Sequence, residues 1–308
     1  MIELKQAQRD GQAGLFSRGY GGDTLNTSVY LARLGVGVDY ITALGDDPMS
    51  DEMVVGWATE GIGTSRVARL KGKLPGIYMI QTDAYGDRRF FHWRENAAAR
   101  SLMDLPETGD ILNSLATYDV IYLSAITLSI YTQQGRTKLL GGLGNARKHG
   151  ARIVFDTNFR ARGWSDPEVA RAVFGEAFAV SDIVLASPED LLPLYPDETD
   201  EQLMARIPCN EVVLKLLSPG SIVRFEGASQ EVRPEPISQP VVDTTAAGDS
   251  FSAAYIAARL AGAEPVEAAR AGHRLGGVVV CYPGAIIPRS AMPANILPRP
   301  GSSRKGSP

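Results

Sequence analysis

Hydrophobic and polar positions alternate along this chain in two rhythms. Short apolar runs bounded by glycine or polar residues are typical of strands, and longer stretches with apolar positions three or four apart are typical of helices. From about residue 104 predicted strands and predicted helices alternate. The predicted strands are 118–125, 151–158, 182–187, 211–217 and 221–227, and the predicted helices are 135–150, 166–181, a segment from 188, a segment after 249 and 264–282. This order predicts an α/β fold with a central, mostly parallel β-sheet flanked by helices.

The first seventy residues follow a less regular pattern. The first twenty carry no convincing element. A glycine turn then opens a predicted helix over 21–35, with Asp23 or Thr24 as its cap. A strand over 38–45 and a helix over 51–62 are predicted after it.

A predicted β-hairpin interrupts the strand–helix rhythm. Residues 76–83 and 88–95 alternate between apolar and polar positions, and a turn containing Gly86 separates them. Because this hairpin, at about residues 74–97, stands outside the alternation, we expect it to form a small β-sheet lid.

Composition places the chain among ordinary globular proteins. Its 308 residues are 44% hydrophobic and 21% charged, with a net charge of −4, so neither nucleic acid nor an anionic membrane is favoured as a partner. No apolar run approaches the roughly 18 residues that span a membrane, and the first residues lack the apolar core of a signal peptide. We expect a cytoplasmic protein with one domain over residues 1–298 and a disordered tail over 299–308. Cys209 and Cys281 lack CxxC spacing, and we expect two reduced thiols.

The segment "PVVDTTAAGDSF", residues 240–251, carries the chemistry of the sequence. Thr244 through Gly248 have little side-chain bulk, so their backbone N–H groups are open to close approach by a ligand. At the start of a helix such N–H groups favour a phosphate. An acid there, Asp249, suits the acceptance of a proton from a hydroxyl nucleophile. The structural alternative is that Asp249 caps the helix and the small residues allow close packing.

Several other sites have no signature in this sequence. The sequence lacks the motifs GxxxxGK[ST], an early GxGxxG and GxSxG. Their absence weakens the hypotheses of a Walker ATPase, a Rossmann dehydrogenase and a serine hydrolase, respectively. The three histidines, His92, His149 and His273, show no HxxxH spacing, and no metal site formed by side chains is predicted.

Separated motifs, in order, resemble one family along nearly the whole chain. "DTTAAGDSF" is similar to the C-terminal signature of the ribokinase-like, phosphofructokinase-B type sugar kinases. Four other segments resemble the branch of that family that acts on 2-keto-3-deoxygluconate. They are "GGDTLNTSVYLARLG", "LPGIYMIQTDAYGDRRFFHWRENAAAR", "FDTNFRARGW" and "GAIIPRSAMP". The resemblance implies a ribokinase-like fold and transfer of the γ-phosphoryl group of ATP to the terminal 6-hydroxyl of the sugar acid, in sugar-acid catabolism.

The resemblance also implies roles for the sugar-side residues. Asp249 is the implied catalytic base, and Ala247 and Gly248 supply N–H groups to the anion hole. Implied contacts to the sugar come from Gly22, Asp23, Asn26, Tyr78, His92, Arg94, Arg160 and Asp249 itself. Arginine has a planar fork that suits a carboxylate. The alternatives are a helix cap for Asp23, an exposed strand position for Arg94 and a structural ion pair for Arg160. His92 stands where relatives often have tyrosine.

The nucleotide side is implied in the same way. The expected nucleotide-binding residues are Lys215, Ser218, Gly220, Ala246 and Gly248. The alternative for Lys215 is a solvated strand end. Asp243 is expected either to order the anion-hole turn or to approach the phosphates of ATP, and Mg²⁺ is expected because ATP is used as its magnesium complex.

Three departures from the family pattern raise questions. Relatives have an apolar strand before the stretch similar to Met1–Leu4, so we expect a misplaced start site or a truncated chain that lacks this first strand. Leu217 replaces the first glycine of a K-x-G-x-x-G turn, which puts nucleotide affinity or the turn itself in doubt. Asp190 stands where the wider family often has the glutamate of N-x-x-E.

Two other functions remain open at this point. One is a related sugar kinase such as a fructokinase, although a neutral sugar gives Arg94 and Arg160 no partner. The other is a degenerate, non-catalytic sugar-acid-binding protein. A homo-oligomer formed through the lid is expected from the resemblance.

Overall fold

The computed structural model describes residues 1–6, 14–82, 88–237 and 239–297. The predicted turn at Gly86 and the predicted tail over 299–308 lie outside these residues. The strands are β1 (Ile2–Gln6), β2 (Phe16–Tyr20), β3 (Val38–Asp39), β4 (Thr42–Gly45), β5 (Ile62–Gly63), β6 (Val67–Leu70), β7 (Ile77–Thr82), β8 (Arg88–Trp93), β9 (Val120–Ser124), β10 (Arg152–Asp156), β11 (Ile183–Ala186), β12 (Glu211–Lys215), β13 (Ser221–Phe225) and β14 (Ala228–Val232).

Helices lie between most of these strands. They are α1 (Asp23–Arg33), α2 (Pro48–Thr59), α3 (Thr108–Ser114), α4 (Ala125–Ser129), α5 (Gln133–Lys148), α6 (Pro167–Val180), α7 (Pro188–Leu191), α8 (Asp200–Ala205), α9 (Ala247–Leu260) and α10 (Pro265–Val279). Short 3-10 helices cover Ala98–Asp104, Leu115–Thr117, Ala161–Gly163 and Arg289–Ala291.

The largest sheet confirms the predicted, mostly parallel architecture. Its strands lie in the order β14-β13-β12-β11-β10-β9. Strands β9, β10, β11 and β12 run parallel to one another, whereas β13 pairs antiparallel with β12 and β14 pairs antiparallel with β13. A parallel sheet covered on both faces favours continuous apolar strands, and all four residues of β11 are buried.

Helices cover both faces of this sheet. Successive side chains of a strand point to opposite faces, and neighbouring residues of β10 therefore enter different cores. Phe155 packs in a cluster with Phe174 and Phe178 of α6. Val154 packs on the other face, in a cluster with Tyr255 of α9. The helix pair α9 and α10 thus closes one face, and α5 and α6 close the other.

A second, four-stranded sheet forms the lid, in the order β2-β1-β7-β8. The hairpin prediction is confirmed, since β7 and β8 pair antiparallel. The expectation that the first twenty residues form no element is wrong, because β1 pairs parallel with β7 and antiparallel with β2. The local sequence of β1 is weakly patterned, and it becomes a strand by pairing with residues about 75 positions away.

Other predictions needed smaller corrections. The strand predicted over 38–45 is divided into β3 and β4, which pair with different partners, β5 and β6. The strand β14 and the short helices α4 and α8 were not predicted. No helix within the described ranges is long and apolar enough to cross a membrane.

Candidate active site

Polar side chains meet where the parallel strands of the large sheet end. Ser124, Asp156 and Lys215 are the last residues of β9, β10 and β12. The carboxyl ends of parallel strands share one edge of the sheet, which is where open α/β sheets bind ligands. All three side chains take part in the hydrogen-bonded site described below.

The small-residue turn before α9 is held by a buried carboxylate. Asp243 accepts hydrogen bonds from the N–H of Thr245 at 2.9 Å and of Gly284 at 2.7 Å. Ala246 then adopts a left-handed conformation with φ of 61°, and α9 begins at Ala247. The N–H of Ala247 donates to the carbonyl of Thr244 at 3.2 Å. Asp243 thus orders the turn, one of the two roles expected of it.

Asp249 lies in the first turn of α9, in a half-buried position. Its Oδ2 accepts a hydrogen bond from Nδ2 of Asn26 at 2.8 Å, and its main-chain oxygen accepts one from the Thr27 hydroxyl at 3.3 Å. Burial, followed by the negative charge of Asp23, raises the pKa of Asp249 to about 7, against the lowering effect of the Asn26 bond. The structure therefore brings together Asp249, Asn26 and Asp23, as the sequence predicted.

Asp23 is held from two strands of the large sheet. Its Oδ2 accepts hydrogen bonds from Asn158 Nδ2 at 3.0 Å and from the Ser124 hydroxyl. The expectation that Asp23 or Thr24 caps α1 is wrong: the cap position is Gly22, at φ of 141°, and no side chain caps the helix. That φ favours glycine at this position.

Ser124 and Asn158 were not assigned as site residues from the sequence. Ser124 is fully buried at the end of β9, and Asn158 follows β10. A polar residue just after a predicted buried strand is the signal that marks both of them.

Lys215 is paired rather than solvated. Its Nζ lies 3.0 Å from Asp156 Oδ2 and 3.3 Å from Oδ1. The same buried Asp156 accepts hydrogen bonds from the hydroxyls of Ser252 at 2.7 Å and Tyr122 at 3.4 Å. A Cβ placed on Gly248 would lie 3.7 Å from the Lys215 ammonium. Lys215 and the small-residue turn are therefore neighbours.

The lid contributes Tyr78 and His92, whose rings stack at 6.1 Å between centroids. The Tyr78 hydroxyl donates to the Glu3 carboxylate on β1, a residue that the sequence did not suggest. A Cβ on Gly21 would lie 2.2 Å from that hydroxyl, so Tyr78 sits directly over the turn before α1. Burial, together with the nearby charge of Arg94, lowers the pKa of His92.

The two arginines have different surroundings. Arg94 follows β8 and is half-buried. Burial lowers the pKa of Arg94. The positive charge of Arg160 lowers it further, and the negative charge of Asp23 raises it, so the three groups lie within electrostatic range of one another. Arg160 forms the ion pair named as its alternative, since its Nη1 lies 3.2 Å from Asp190 Oδ1, but about half of its side chain is exposed.

Asp190 fixes the loop that carries Arg160. It also accepts hydrogen bonds from the hydroxyls of Thr157 at 2.9 Å and Ser187 at 3.0 Å and from the N–H of Phe159 at 3.0 Å. Burial, with the charge of Asp156 adding to it, raises the pKa of Asp190. Asp190, which is one methylene shorter than the glutamate of the family pattern, therefore binds groups of the protein itself.

The turn expected on the nucleotide side is formed despite Leu217. The Leu216 N–H donates to the Gly220 carbonyl at 3.0 Å, Gly220 has φ of 151°, and the Leu217 side chain is 72% exposed. Ser218 is exposed in the same turn.

A groove of about 550 Å³ lies next to this turn. Ile237, His273, Gly277 and Cys281 are among the residues that line it. Ser221, at the start of β13, is hydrogen-bonded to His273 at 2.9 Å. A Cβ on Gly276 of α10 would lie 3.4 Å from the carbonyl of Ala247, so α10 joins the groove to the start of α9. Among the described residues, no group of three or more His, Cys, Asp or Glu is placed to hold a metal ion.

The sequence matches a family profile described as "pfkB family carbohydrate kinase" over residues 1–292. It is 42% identical to 2-dehydro-3-deoxygluconokinase of Dickeya dadantii and 40% identical to the protein of that name in Escherichia coli, in each case over 96% of both chains. It is 26% identical to a fructokinase of Vibrio alginolyticus over 77% of this chain and 75% of the other.

Solved structures show the same fold. A Thermotoga maritima protein titled 2-dehydro-3-deoxygluconokinase matches with a TM-score of 0.80 and 22% identity, over 93% of this chain and 92% of the other. A structure titled putative ribokinase II in complex with ATP and Mg²⁺, from E. coli, matches with a TM-score of 0.78 and 24% identity, over 92% and 91%.

Proposed function

The chain belongs to the pfkB family of carbohydrate kinases, and on that premise we propose that it is an ATP-dependent 2-dehydro-3-deoxygluconokinase. Its substrate, also called 2-keto-3-deoxygluconate, is phosphorylated at the terminal 6-hydroxyl, in sugar-acid catabolism. Relatives of that name at 40–42% identity over 96% of the chain support the substrate. The geometry that carries the proposal is the half-buried Asp249 at the start of α9, facing Asn26 and Asp23.

Asp249 is the base in the proposed reaction. It accepts the hydroxyl proton as the sugar oxygen attacks the γ-phosphorus of ATP, and the bond from that phosphorus to the ADP oxygen breaks. With a pKa of about 7, a large share of the protein has this carboxylate ionised at neutral pH. Positive partial charge at the start of α9, from the N–H groups near Gly248, and the Lys215 ammonium stabilise the charge on the transferred group.

The sugar acid binds between the lid and the turn at Gly22. Asp23 and Asn26 accept hydrogen bonds from sugar hydroxyls, while Tyr78 and His92 cover the sugar from the lid. Arg94 and Arg160 pair with the substrate carboxylate, a role that suits their planar forks. Arg160 reaches the sugar acid with its exposed side, while Asp190 holds the other side.

ATP enters as its Mg²⁺ complex, and the metal is held mainly by the phosphates and water. The phosphates lie along Ala246, Gly248 and Lys215, with Ser218 and Gly220 at the neighbouring turn. The adjacent groove, at about 550 Å³, has the size of a small-molecule site and holds the nucleobase. A protein with the same fold has been solved with ATP and Mg²⁺, which supports MgATP as the phosphoryl donor.

The two alternatives are not favoured. The fructokinase comparison reaches only 26% identity, and a neutral sugar offers no carboxylate to Arg94 or to the exposed side of Arg160. A non-catalytic binding protein would not need a half-buried acid at an ordered small-residue turn. Asp249→Asn should lower turnover by about 10²- to 10⁴-fold and retain sugar binding if the protein is an enzyme.

The test is an ADP-release assay with MgATP that compares 2-keto-3-deoxygluconate, 2-keto-3-deoxygalactonate, fructose and ribose. Turnover with the keto-deoxy acids alone is expected. Turnover with fructose or ribose would assign the protein to another branch and overturn the carboxylate pocket.

We further propose one kinase domain over residues 1–298, a cytoplasmic location and a homo-oligomer formed through the lid. The register places Phe16, Phe91 and Trp93 on one face of the lid sheet, and their exposure is 40%, 39% and 55%. Apolar side chains grouped on an exposed sheet face favour association.

A further inference from the structure

Two consecutive residues of α1 hold the proposed base. Asn26 donates Nδ2 to the Asp249 carboxylate at 2.8 Å, and Thr27 donates its hydroxyl to the Asp249 main-chain oxygen at 3.3 Å. These residues are 223 and 222 positions away from Asp249 in sequence. Both the side chain and the backbone of Asp249 are thus fixed by the helix that also carries Asp23.

The chemistry of the two groups fixes the orientation of the amide. An ionised carboxylate only accepts hydrogen bonds, so Asn26 must turn its NH₂ group toward Asp249. Its Oδ1 then points the other way. Asn26 is 5% exposed, and its Oδ1 has no hydrogen-bond partner within the described part of the chain. A buried acceptor without a partner is unfavourable, so this oxygen needs a donor from outside the protein.

The carboxylate is asymmetric for the same reason. Oδ2 of Asp249 is occupied by Asn26. The described residues form no hydrogen bond to Oδ1, which leaves that oxygen to take a proton.

We infer that Asn26 is a positioning residue, which selects Oδ1 of Asp249 as the proton-accepting oxygen and ties the base to the sugar by accepting a hydrogen bond from a substrate hydroxyl. The sugar half of this inference rests on the proposed function, but the contact with Asp249 does not. In the reaction the attacking hydroxyl gives its proton to Oδ1 of Asp249 while its oxygen bonds to the γ-phosphorus and ADP leaves. Asn26 keeps Oδ2 out of that exchange.

The charges around Asp249 make Asn26 important for its ionised state. Asp23 on α1 and Asp156 on β10 disfavour the ionised form, and Lys215 on β12 favours it. The other titratable groups that face Asp249 are the neutral hydroxyls of Tyr30, Tyr78 and Tyr122. Asn26 supplies the hydrogen bond to the carboxylate that offsets the acidic neighbours.

The test compares Asn26→Ala and Asn26→Asp with the matched control Ser28→Ala. Ser28 lies on the same helix, is buried, and donates its hydroxyl to the carbonyl of Thr24 at 2.8 Å. The first readout is the carboxyl ¹³C titration of Asp249, assigned by its loss in Asp249→Asn. The second is kcat/KM against pH with the best sugar substrate.

The expected result is a titration midpoint of Asp249 that rises by about one pH unit in Asn26→Ala and by more in Asn26→Asp, where a second carboxylate shares the proton. The acid limb of kcat/KM moves by the same amount, kcat falls, KM for ATP stays close to that of the wild type, and Ser28→Ala matches the wild type throughout. An unmoved midpoint in both Asn26 variants, with near-UV circular dichroism that reports a folded protein, would overturn the inference. If the wild type phosphorylates none of the sugars, the proposed function fails, and the titration still decides the role of Asn26 toward Asp249.

Discussion

At the scale of single residues, the site is a small set of charges held in place by neutral donors. Asp249 lies near Asp23 and Asp156, and the positive charge of Lys215 partly balances them. Ser124 and Asn158 fix Asp23, much as Asn26 fixes Asp249. Each of these two carboxylates therefore has its own hydrogen-bond donors.

Replacing the base should reduce activity and increase stability. Asp249→Asn is expected to lower kcat by about 10²- to 10⁴-fold, the usual contribution of a general base. Because the folded-state pKa of Asp249, about 7, lies above its ordinary value of 3.8, the wild type loses stability as pH rises from about 4 to 7. The variant should therefore have a higher melting temperature than the wild type at pH 8, by roughly 2–4 °C for each kcal/mol that ionising Asp249 costs the wild type. This difference should vanish near pH 4. Thermal melts from pH 4 to 8 measure this, and a gain that is independent of pH would contradict it.

Removing a carboxylate partner should separate the sugar acids from neutral sugars. Arg94→Gln is expected to raise KM for 2-keto-3-deoxygluconate by about 10- to 100-fold, the range for a lost charge-assisted hydrogen bond. KM for ATP should stay close to that of the wild type in steady-state kinetics. Arg69→Gln is the control, since Arg69 pairs with Asp51 on the surface. An unchanged KM for the sugar acid would remove Arg94 from the pocket.

At the scale of elements, the site depends on how the lid and the turns meet the large sheet. Tyr78 on β7 reaches over the turn at Gly21, and Glu3 on β1 holds its hydroxyl. On the opposite side, the turn between β12 and β13 lies next to α10 through Ser221 and His273. Each of these contacts joins elements that are distant in sequence.

A methyl group at Gly21 should displace the lid from the sugar. Its Cβ would lie 2.2 Å from the Tyr78 hydroxyl, so the tyrosine must move. Gly21→Ala is expected to lower kcat/KM for the sugar by about 10- to 100-fold, as small displacements of positioning groups do. Gly37→Ala is the matched control, because a Cβ there would meet nothing within 4 Å. Equal kinetics for the two variants would show that the position of Tyr78 does not matter.

The leucine in the nucleotide-side turn should prove nearly neutral. Leu217 is 72% exposed, and the turn closes around it. Leu217→Gly is therefore expected to leave KM for ATP close to that of the wild type. It should lower the free energy of unfolding by about 0.5–1 kcal/mol, because glycine adds flexibility to the unfolded chain. Urea denaturation and ATP titration measure the two effects, and a markedly lower KM for ATP would mean that Leu217 obstructs the nucleotide.

At the scale of the whole molecule, two sheets carry two different tasks. The six-stranded sheet, covered by helices on both faces, carries the candidate active site at the carboxyl ends of its parallel strands. The four-stranded lid carries Tyr78 and His92 on one face and the exposed aromatic residues Phe16, Phe91 and Trp93 on the other. This second face is the surface through which we propose self-association.

Charge placed on that face should separate the subunits. Trp93→Glu is expected to shift the molar mass from that of an oligomer toward 33.0 kDa, the mass of one chain, because a buried carboxylate without a partner is strongly unfavourable. Light scattering after size-exclusion chromatography measures the mass. Val55→Glu, on an exposed face of α2, is the control. A wild type that is already monomeric would contradict the proposal.

The sequence by itself determined most of the alternating strands and helices after residue 118 and the small-residue turn that ends in Asp249. Both are local patterns. The periodicity follows from the geometry of each element, and the small residues of the turn are adjacent in the sequence, so both can be recognised without the tertiary structure. The tertiary structure decided that β1 and β2 belong to the lid, that Ser124 and Asn158 hold Asp23, and that Asn26 holds Asp249. Those features join residues far apart in the chain, and the raised pKa of Asp249 depends on burial and on neighbouring charges that exist only once the elements have packed together.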